Sequence, residues 1–376
     1  MRTKDRVAAK VDRRKIIIGA GAAGLGVIGG LAAPARALAR SSQASERGAT
    51  PMASGKIDTH HHFFPKAYVD AIGLDTLARQ MPNQKAPEWS PERAIAMMDD
   101  NHIAEGILSV SSGPAIPDAV TLLRKCNDAA AELRQLHPRR FGSFASLPLP
   151  DIDASLKEVA YCLDTLKVDG FIIFTSYDGK YLGDEHFTPL LEELNRRKAV
   201  AFIHPNDPFY PIPKLAPASV LEFPFETTRT ATSLIISGAL RRFADLRFIL
   251  AHAGGALPYL VPRVSLSIQM MPGVAERVGD ARAAFASFYY DTALSAGVST
   301  ISALMQVARP DHVLFGTDFP MAPLPAITNF GQVLDELSVP GFSRPDVYRR
   351  NAAKLLGRDL REAGVPGHPR GAQHSG

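Results

Sequence analysis

Metal-capable side chains stand at the ends of β-like apolar runs in four segments. They are Asp58-Thr59-His60-His61-His62, Phe202-Ile203-His204-Pro205, Leu250-Ala251-His252-Ala253-Gly254-Gly255 and Phe315-Gly316-Thr317-Asp318. In a parallel β/α barrel all strand ends open on one face, so ligands far apart in sequence can meet at one ion. Side chains alternate along a strand, so His60 and His62 project to one side and can grip one cation, while His61 points away into packing or a supporting contact. Pro205 after His204 ends strand hydrogen bonding and marks the turn into a loop. The glycines after His252 allow the backbone to pass close to a ligand. Asp318 could cap a helix, but Phe319-Pro320 delays any helix and leaves its carboxylate free for other work.

The elements that must position these residues alternate along the chain. Strand candidates are Lys56 to His62, Ala104 to Val110, Arg140 to Ser146, Val168 to Phe174, Ala199 to His204, Leu246 to His252, Ser287 to Thr292 and His312 to Asp318. Most are almost continuously apolar, the pattern of parallel strands covered on both faces. Amphipathic helices are predicted over Ala119 to Leu136, Asp153 to Leu166, Phe187 to Arg197, Glu226 to Phe243, Leu257 to Met271, Ser299 to Ala308, Pro325 to Leu337 and Pro345 to Leu356. A further helix opens at Ser90-Pro91, an N-cap followed by proline at the first helical position. Regular alternation of this kind predicts an α/β fold, a single (β/α)8 barrel of the TIM type over residues 56–360. Pro65 to Trp89 and Pro205 to Phe225 are long connections leaving strand ends, where substrate-contacting loops belong, and the second is stiffened by Pro205, Pro208, Pro211, Pro213, Pro217 and Pro224.

Ahead of the barrel, Arg13-Arg14-Lys15 precedes a weakly apolar run from Ile16 to Ala33 and then Ala35-Arg36-Ala37-Leu38-Ala39. That is the form of a twin-arginine export signal over residues 1–39, followed by a polar linker over 40–55; a polar, disordered tail is expected over 361–376. Export machinery of the twin-arginine type is then a partner, and the periplasm the destination, with membrane anchorage if the leader is kept. Gly19-Ala20-Gly21-Ala22-Ala23-Gly24 matches a dinucleotide-binding fingerprint, but Pro34 and a polar stretch follow where the second strand should be, so a nicotinamide or flavin site is rejected. Residues 1–39 carry a net +6 of the whole chain's +4, which leaves −2 for the remainder and no case for nucleic-acid binding. Cys126 and Cys162 lack metal-type spacing and read as buried thiols, with one disulfide as the alternative.

Taken together, Asp58 to Pro65 (Asp-x-His-x-His-x-x-Pro), the strand-five His204, His252-Ala253-Gly254-Gly255 and Gly316-Thr317-Asp318-Phe319-Pro320 resemble the amidohydrolase superfamily. Within it they are similar to the amidohydrolase-related group typified by aminocarboxymuconate semialdehyde decarboxylase, from Ile57 to about Leu356. Residues 221–230 and 252–260 look like the branch that includes methylsalicylate decarboxylases. The resemblance implies one divalent ion held by His60, His62, His204 and Asp318, with His252 and Asp318 in acid/base roles. Imidazole and carboxylate ligands suit Zn2+ first and Mn2+ second. Strand four ends at Phe174-Thr175-Ser176 without the lysine or glutamate that bridges two ions in dinuclear relatives, which favours a single ion.

Two reactions remain open on such a site. In non-oxidative decarboxylation of a hydroxylated aromatic acid, Asp318 or His252 protonates the carbon that loses carbon dioxide. In hydrolysis of an amide, ester or lactone, Asp318 takes a proton from an activated water and His252 steadies the oxyanion. Decarboxylation is favoured by the resemblance, hydrolysis by the export signal, and a catalytically silent barrel would be expected to have lost a ligand. Arg229 and Arg263 are candidates to pair with a substrate carboxylate, with solvent or intersubunit contact as the alternative. Trp89, Tyr177, Phe223 and Asp291 are candidates to line the pocket; Asp291, on strand seven, is also placed to orient a ligand histidine. The expected partners are a small carboxylic acid and a second copy of the chain, as a homo-oligomer such as a dimer.

Overall fold

Eight short runs rich in Ile, Val, Phe and Ala pair in parallel and in chain order: β1 Lys56–His62, β2 Ile103–Ser109, β3 Phe141–Ser146, β4 Gly170–Phe174, β5 Val200–His204, β6 Arg247–Leu250, β7 Tyr289–Asp291 and β8 Val313–Leu314. The computed structural model describes residues 55–81, 85–111, 116–213 and 215–359. The leader over 1–39, the linker to residue 54 and the tail over 361–376 lie outside the described residues. The sheet closes on itself where Thr59 N donates to Phe315 O at 2.9 Å, Asp318 N to His60 O at 2.8 Å and His62 N to Phe319 O at 2.7 Å. The result is the expected (β/α)8 barrel, its strands buried on both sides.

Helices cover the outside, in chain order α1 Lys66–Ile72, α2 Leu74–Gln80, α3 Pro91–Asp100, α4 Ala119–Leu136, α5 Ile152–Tyr161, α6 Thr188–Arg196, α7 Ala218–Ile236, α8 Ala239–Arg242, α9 Leu257–Met270, α10 Val274–Val278, α11 Ala281–Ser287, α12 Val298–Met305, α13 Leu324–Glu336 and α14 Asn351–Leu356. Ser90 caps α3, its side chain accepting from Arg93 N, with Pro91 in the first turn as expected. Cys126 and Cys162 are buried and free, so they form no disulfide.

The structure corrects several boundaries. β6 ends at Leu250 and β8 at Leu314, so His252 and Asp318 stand in turns beyond the strands rather than at their last positions. Both take left-handed backbone, φ 54 and 62, which no extended strand accommodates. Short helices α1 and α2, hinged at Gly73 with φ 82, occupy the connection after β1. Seven residues make too few turns for a hydrophobic period to show. α7 starts at Ala218, eight residues before the predicted Glu226, because Pro217 presets the entry to the helix while Pro224 is carried inside it.

Candidate metal centre and cavity

His60 and His62 leave β1 on the same side, with Nε2 atoms 3.1 Å apart. Asp318 Oδ1 lies 3.2 Å from the first and 3.1 Å from the second. His204, at the end of β5, brings its ring centroid to 4.7 Å from that of His62 and 5.1 Å from that of His60. The ligand atoms of His60, His62, His204 and Asp318 all lie within 4.8 Å of one another, and all four residues are buried.

Hydrogen bonds on the outer edges of the rings decide which nitrogens face inward. Asp291 Oδ2 accepts from His60 Nδ1 at 2.9 Å, so His60 turns Nε2 to the centre. Ser109 Oγ donates to His61 O and therefore accepts from His62 Nδ1 at 3.0 Å, which leaves His62 Nε2 as a bare lone pair. Asp318 Oδ1 is buried and has no hydrogen-bond partner. Two inward lone pairs at 3.1 Å and an unpaired carboxylate oxygen beside them repel one another unless a cation sits between. The donor set therefore fits one divalent metal ion, and it is the only metal-capable cluster found among the described residues.

Charge at the centre follows the same logic. Burial works against a charged His60, but Asp291 and then Asp318 outweigh it and lift its pKa to about 10. Burial lowers His62, and burial together with the neighbouring imidazoles holds His204 well below the ordinary histidine value. Burial alone would raise Asp318, yet the charge of His60 and the close approach of the His252, His60 and His62 rings carry it well below the ordinary carboxylate value. His252 Nε2 stands 3.6 Å from Asp318 Oδ2, on the open side of the site.

Sequence reasoning missed how Asp58 supports this arrangement. Fully buried, it accepts from His60 N at 3.1 Å and Thr317 N at 3.0 Å on one oxygen, and from Thr317 Oγ1 at 2.6 Å and His61 Nδ1 at 3.1 Å on the other. It thus ties β1 to the turn that carries Asp318. The signal was in the Asp-x-His-x-His spacing, which puts Asp58 and His60 on alternate positions of one strand.

A cavity of about 850 Å³ opens above His204, His252 and Asp318. Its apolar wall includes Met81, Val220, Phe223, Leu294, Met321 and Phe330. Arg79, from α2, is the only arginine or lysine among the described residues that line it, and it too was missed because α2 was read as loop. Of the predicted substrate contacts, Phe223 lines the cavity. The others do not. Asp291 is fully buried beneath His60 and also accepts from His252 N, so it orients the site and is closed to substrate. Tyr177 is buried outside this cavity, its hydroxyl accepting from Phe174 N. Trp89 packs edge-on against Phe63 at 5.7 Å. Arg229 pairs with Glu226 at 2.9 Å, and Arg263 lies on the exposed face of α9. Gly254 and Gly255, expected to admit a ligand, serve packing as well: a side chain at Gly255 would overlap the Pro224 carbonyl and one at Gly254 the Tyr290 ring.

Fold, ligand set and sequence agree on the class: the chain belongs to the amidohydrolase family, whose model matches residues 57–358. It is 39% identical over 332 residues to the 6-methylsalicylic acid decarboxylase of Aspergillus aculeatus, covering 84% of this chain and 99% of the fungal protein. A crystal structure described as amidohydrolase II superposes with a TM-score of 0.72 at 28% identity, over 80% of this chain and 99% of that one. A dihydroxybenzoic acid decarboxylase from Polaromonas, solved with bound manganese, shares the fold at a TM-score of 0.68 and 23% identity, over 82% of this chain and 99% of that one.

Proposed function

We propose that this protein is a metal-dependent, non-oxidative decarboxylase of a hydroxylated aromatic carboxylic acid. The observation that carries the reading is a buried His60, His62, His204 and Asp318 set with His252 beside it, at the base of a largely apolar cavity with Arg79 as its lining cation. Similarity to the fungal methylsalicylate enzyme along nearly its whole length supports it. A bound ion would supply positive charge that holds the acid and its neighbouring hydroxyl and stabilises charge built up in the ring.

The chain's own residues do the rest. Phe223 and the apolar wall hold the ring and exclude water, and Arg79 pairs with an acidic group at the α2 side. His252 Nε2 and Asp318 Oδ2, 3.6 Å apart, form the acid/base pair. One of them delivers a proton to the ring carbon bearing the carboxylate. The C–H bond forms, the C–C bond breaks, and its electron pair returns to the ring as carbon dioxide leaves. Three imidazoles and one carboxylate favour Zn2+, with Mn2+ as the alternative.

Metal-loaded protein should release carbon dioxide from 6-methylsalicylate or a dihydroxybenzoate isomer. No release from these acids, with turnover of aryl esters or lactones, would make it a hydrolase instead. The native ion is read by elemental analysis of protein purified without added metal.

Two further expectations belong to the same reading. Tyr259, Leu266 and Met270 leave a large apolar stripe exposed on α9, the face we assign to a second copy in a homodimer; light scattering at the monomer mass would refute it. Residues 1–39 are proposed to direct twin-arginine export to the periplasm, so replacing Arg13 and Arg14 by lysine should retain the protein in the cytoplasm.

A further inference from the structure

A second carboxylate is buried close to the cavity and has no part in the metal centre. Glu226, on α7, is fully buried. Its Oε1 accepts from Tyr181 Oη at 3.2 Å, Tyr210 Oη at 2.8 Å and Arg229 NH1 at 2.9 Å, while Oε2 has no partner. These donors come from three separate pieces of chain. Tyr181 belongs to a small hairpin, Ser176–Tyr177 paired with Lys180–Tyr181, that follows β4. Tyr210 sits midway along the proline-rich strap that leaves β5, and Arg229 is one turn along α7. Aromatic contacts reinforce the junction. The Tyr181 ring lies 5.5 Å from that of Phe209, and the Arg229 guanidinium sits 5.2 Å from the Tyr210 ring and 5.9 Å from that of Phe225.

The strap is held at both ends by other means. It starts at His204 itself, where Asn206 Nδ2 donates to Ser176 O at 3.2 Å, and it ends at Pro217, where α7 begins. Between those anchors, the stretch from Asp207 to Ile212 includes Pro208 and Pro211, which cannot donate backbone hydrogen bonds and leave more of the fixing to side chains. Pro205, Asn206, Asp207 and Pro217 of the strap line the cavity, as do Phe223 and Pro224 just before Glu226. The part of the cavity wall next to His204 is therefore set by a junction whose centre is one carboxylate.

We propose that Glu226 is a positioning residue for substrate: by drawing Tyr181, Tyr210 and Arg229 onto one buried oxygen, it clamps the strap and hairpin against α7 and fixes the cavity wall that continues from His204. It touches neither ion nor substrate. Its removal acts on how well the acid is held, through the strap, and leaves the acid/base pair as it was. The inference rests on the decarboxylase reading for its kinetic arm and is independent of it for its structural arm.

The test compares Tyr210→Phe, the double variant Tyr181→Phe/Tyr210→Phe, and Glu226→Gln. Each is metal-loaded and measured by steady-state kinetics on the best aromatic acid and by amide hydrogen exchange over residues 205–217. The expected result is a KM raised about threefold by Tyr210→Phe and roughly tenfold or more by the other two, the worth of one and then two or more net hydrogen bonds. Values of kcat and metal content stay near those of the parent, and exchange rises within the strap while the barrel strands keep their protection. The tyrosine variants delete only hydroxyls, so they decide the matter if Glu226→Gln does not fold. Unchanged exchange in the strap with unchanged KM overturns the clamp, as does a fall in kcat that tracks metal loss. If the parent releases no carbon dioxide from any acid, the functional reading fails, and exchange in the strap alone accepts or rejects the clamp.

Discussion

At the scale of single residues, the Asp291 carboxylate under His60 makes the centre a site where protons compete with the metal ion. His60 titrates near 10, above its unfolded value, so at neutral pH an incoming ion must displace that proton. Apparent metal affinity should therefore rise with pH up to about 10, by about tenfold per unit for one displaced proton, with proton release measurable by calorimetry in buffers of different ionisation enthalpy. Asp291→Asn removes the main source of the upward shift and should flatten that dependence while weakening metal binding about 10- to 100-fold. Direction along β1 gives a second contrast. His204→Ala should lose both metal and activity, whereas His61→Ala, whose ring contacts Asp58 and Phe319 away from the ion, should keep its metal and lose thermal stability; equal metal loss from both is the refuting result. His60 and His62 were legible from period-two alternation along β1, and the full ligand set from the resemblance of the four motifs to a known family. Which candidates line the cavity was not, because Arg229, Arg263, Trp89 and Tyr177 lie on helices, loops and hairpins, where sequence alone does not say which face meets a cavity.

At the scale of elements, all eight strands could be read from apolar runs, with their ends displaced where the chain turns early into left-handed backbone. Proline misled the reading of α7. Pro217 and Pro224 suggest loop, yet the first stands just before the helix and the second leaves a single unmade hydrogen bond within it. Helix α7 is in turn fitted closely to the turn after His252, where Thr228 Oγ1 donates to Pro224 O at 2.8 Å and accepts from Ala256 N at 3.0 Å. Gly255 is the point of closest approach, with φ 63 and no room for a Cβ beside the Pro224 carbonyl. Gly255→Ala should destabilise the protein by about 1–3 kcal/mol, measured by denaturant unfolding. Because the strain falls on the turn carrying His252, activity per folded molecule should drop as well.

At the scale of the whole molecule, chemistry and stability occupy opposite ends of the barrel. On the far side from the metal centre, Arg358, just after α14, reaches back to Glu105 of β2 at 2.6 Å and to Asp169, before β4, at 2.7 Å. Gly142 makes room for this group, since a side chain there would run into Asp169 and Arg358. Arg358→Ala strands two largely buried carboxylates and should cost about 3–5 kcal/mol of stability, seen as a lower melting temperature. Metal content and kcat of the protein that remains folded should be unchanged, and a loss of either would show that the two ends are coupled.

The seam joining β1 to the turn after β8 brings together residues as distant as Asp58 and Thr317, 259 apart in sequence. Half of the coordination sphere is thus synthesised first and its only carboxylate last. A ribosome that stalls anywhere before residue 318 leaves the imidazole ligands without the one carboxylate that shares the ion with them. Tight occupancy by a divalent ion is consequently a signature of a chain translated past Asp318 with its first and last strands brought together.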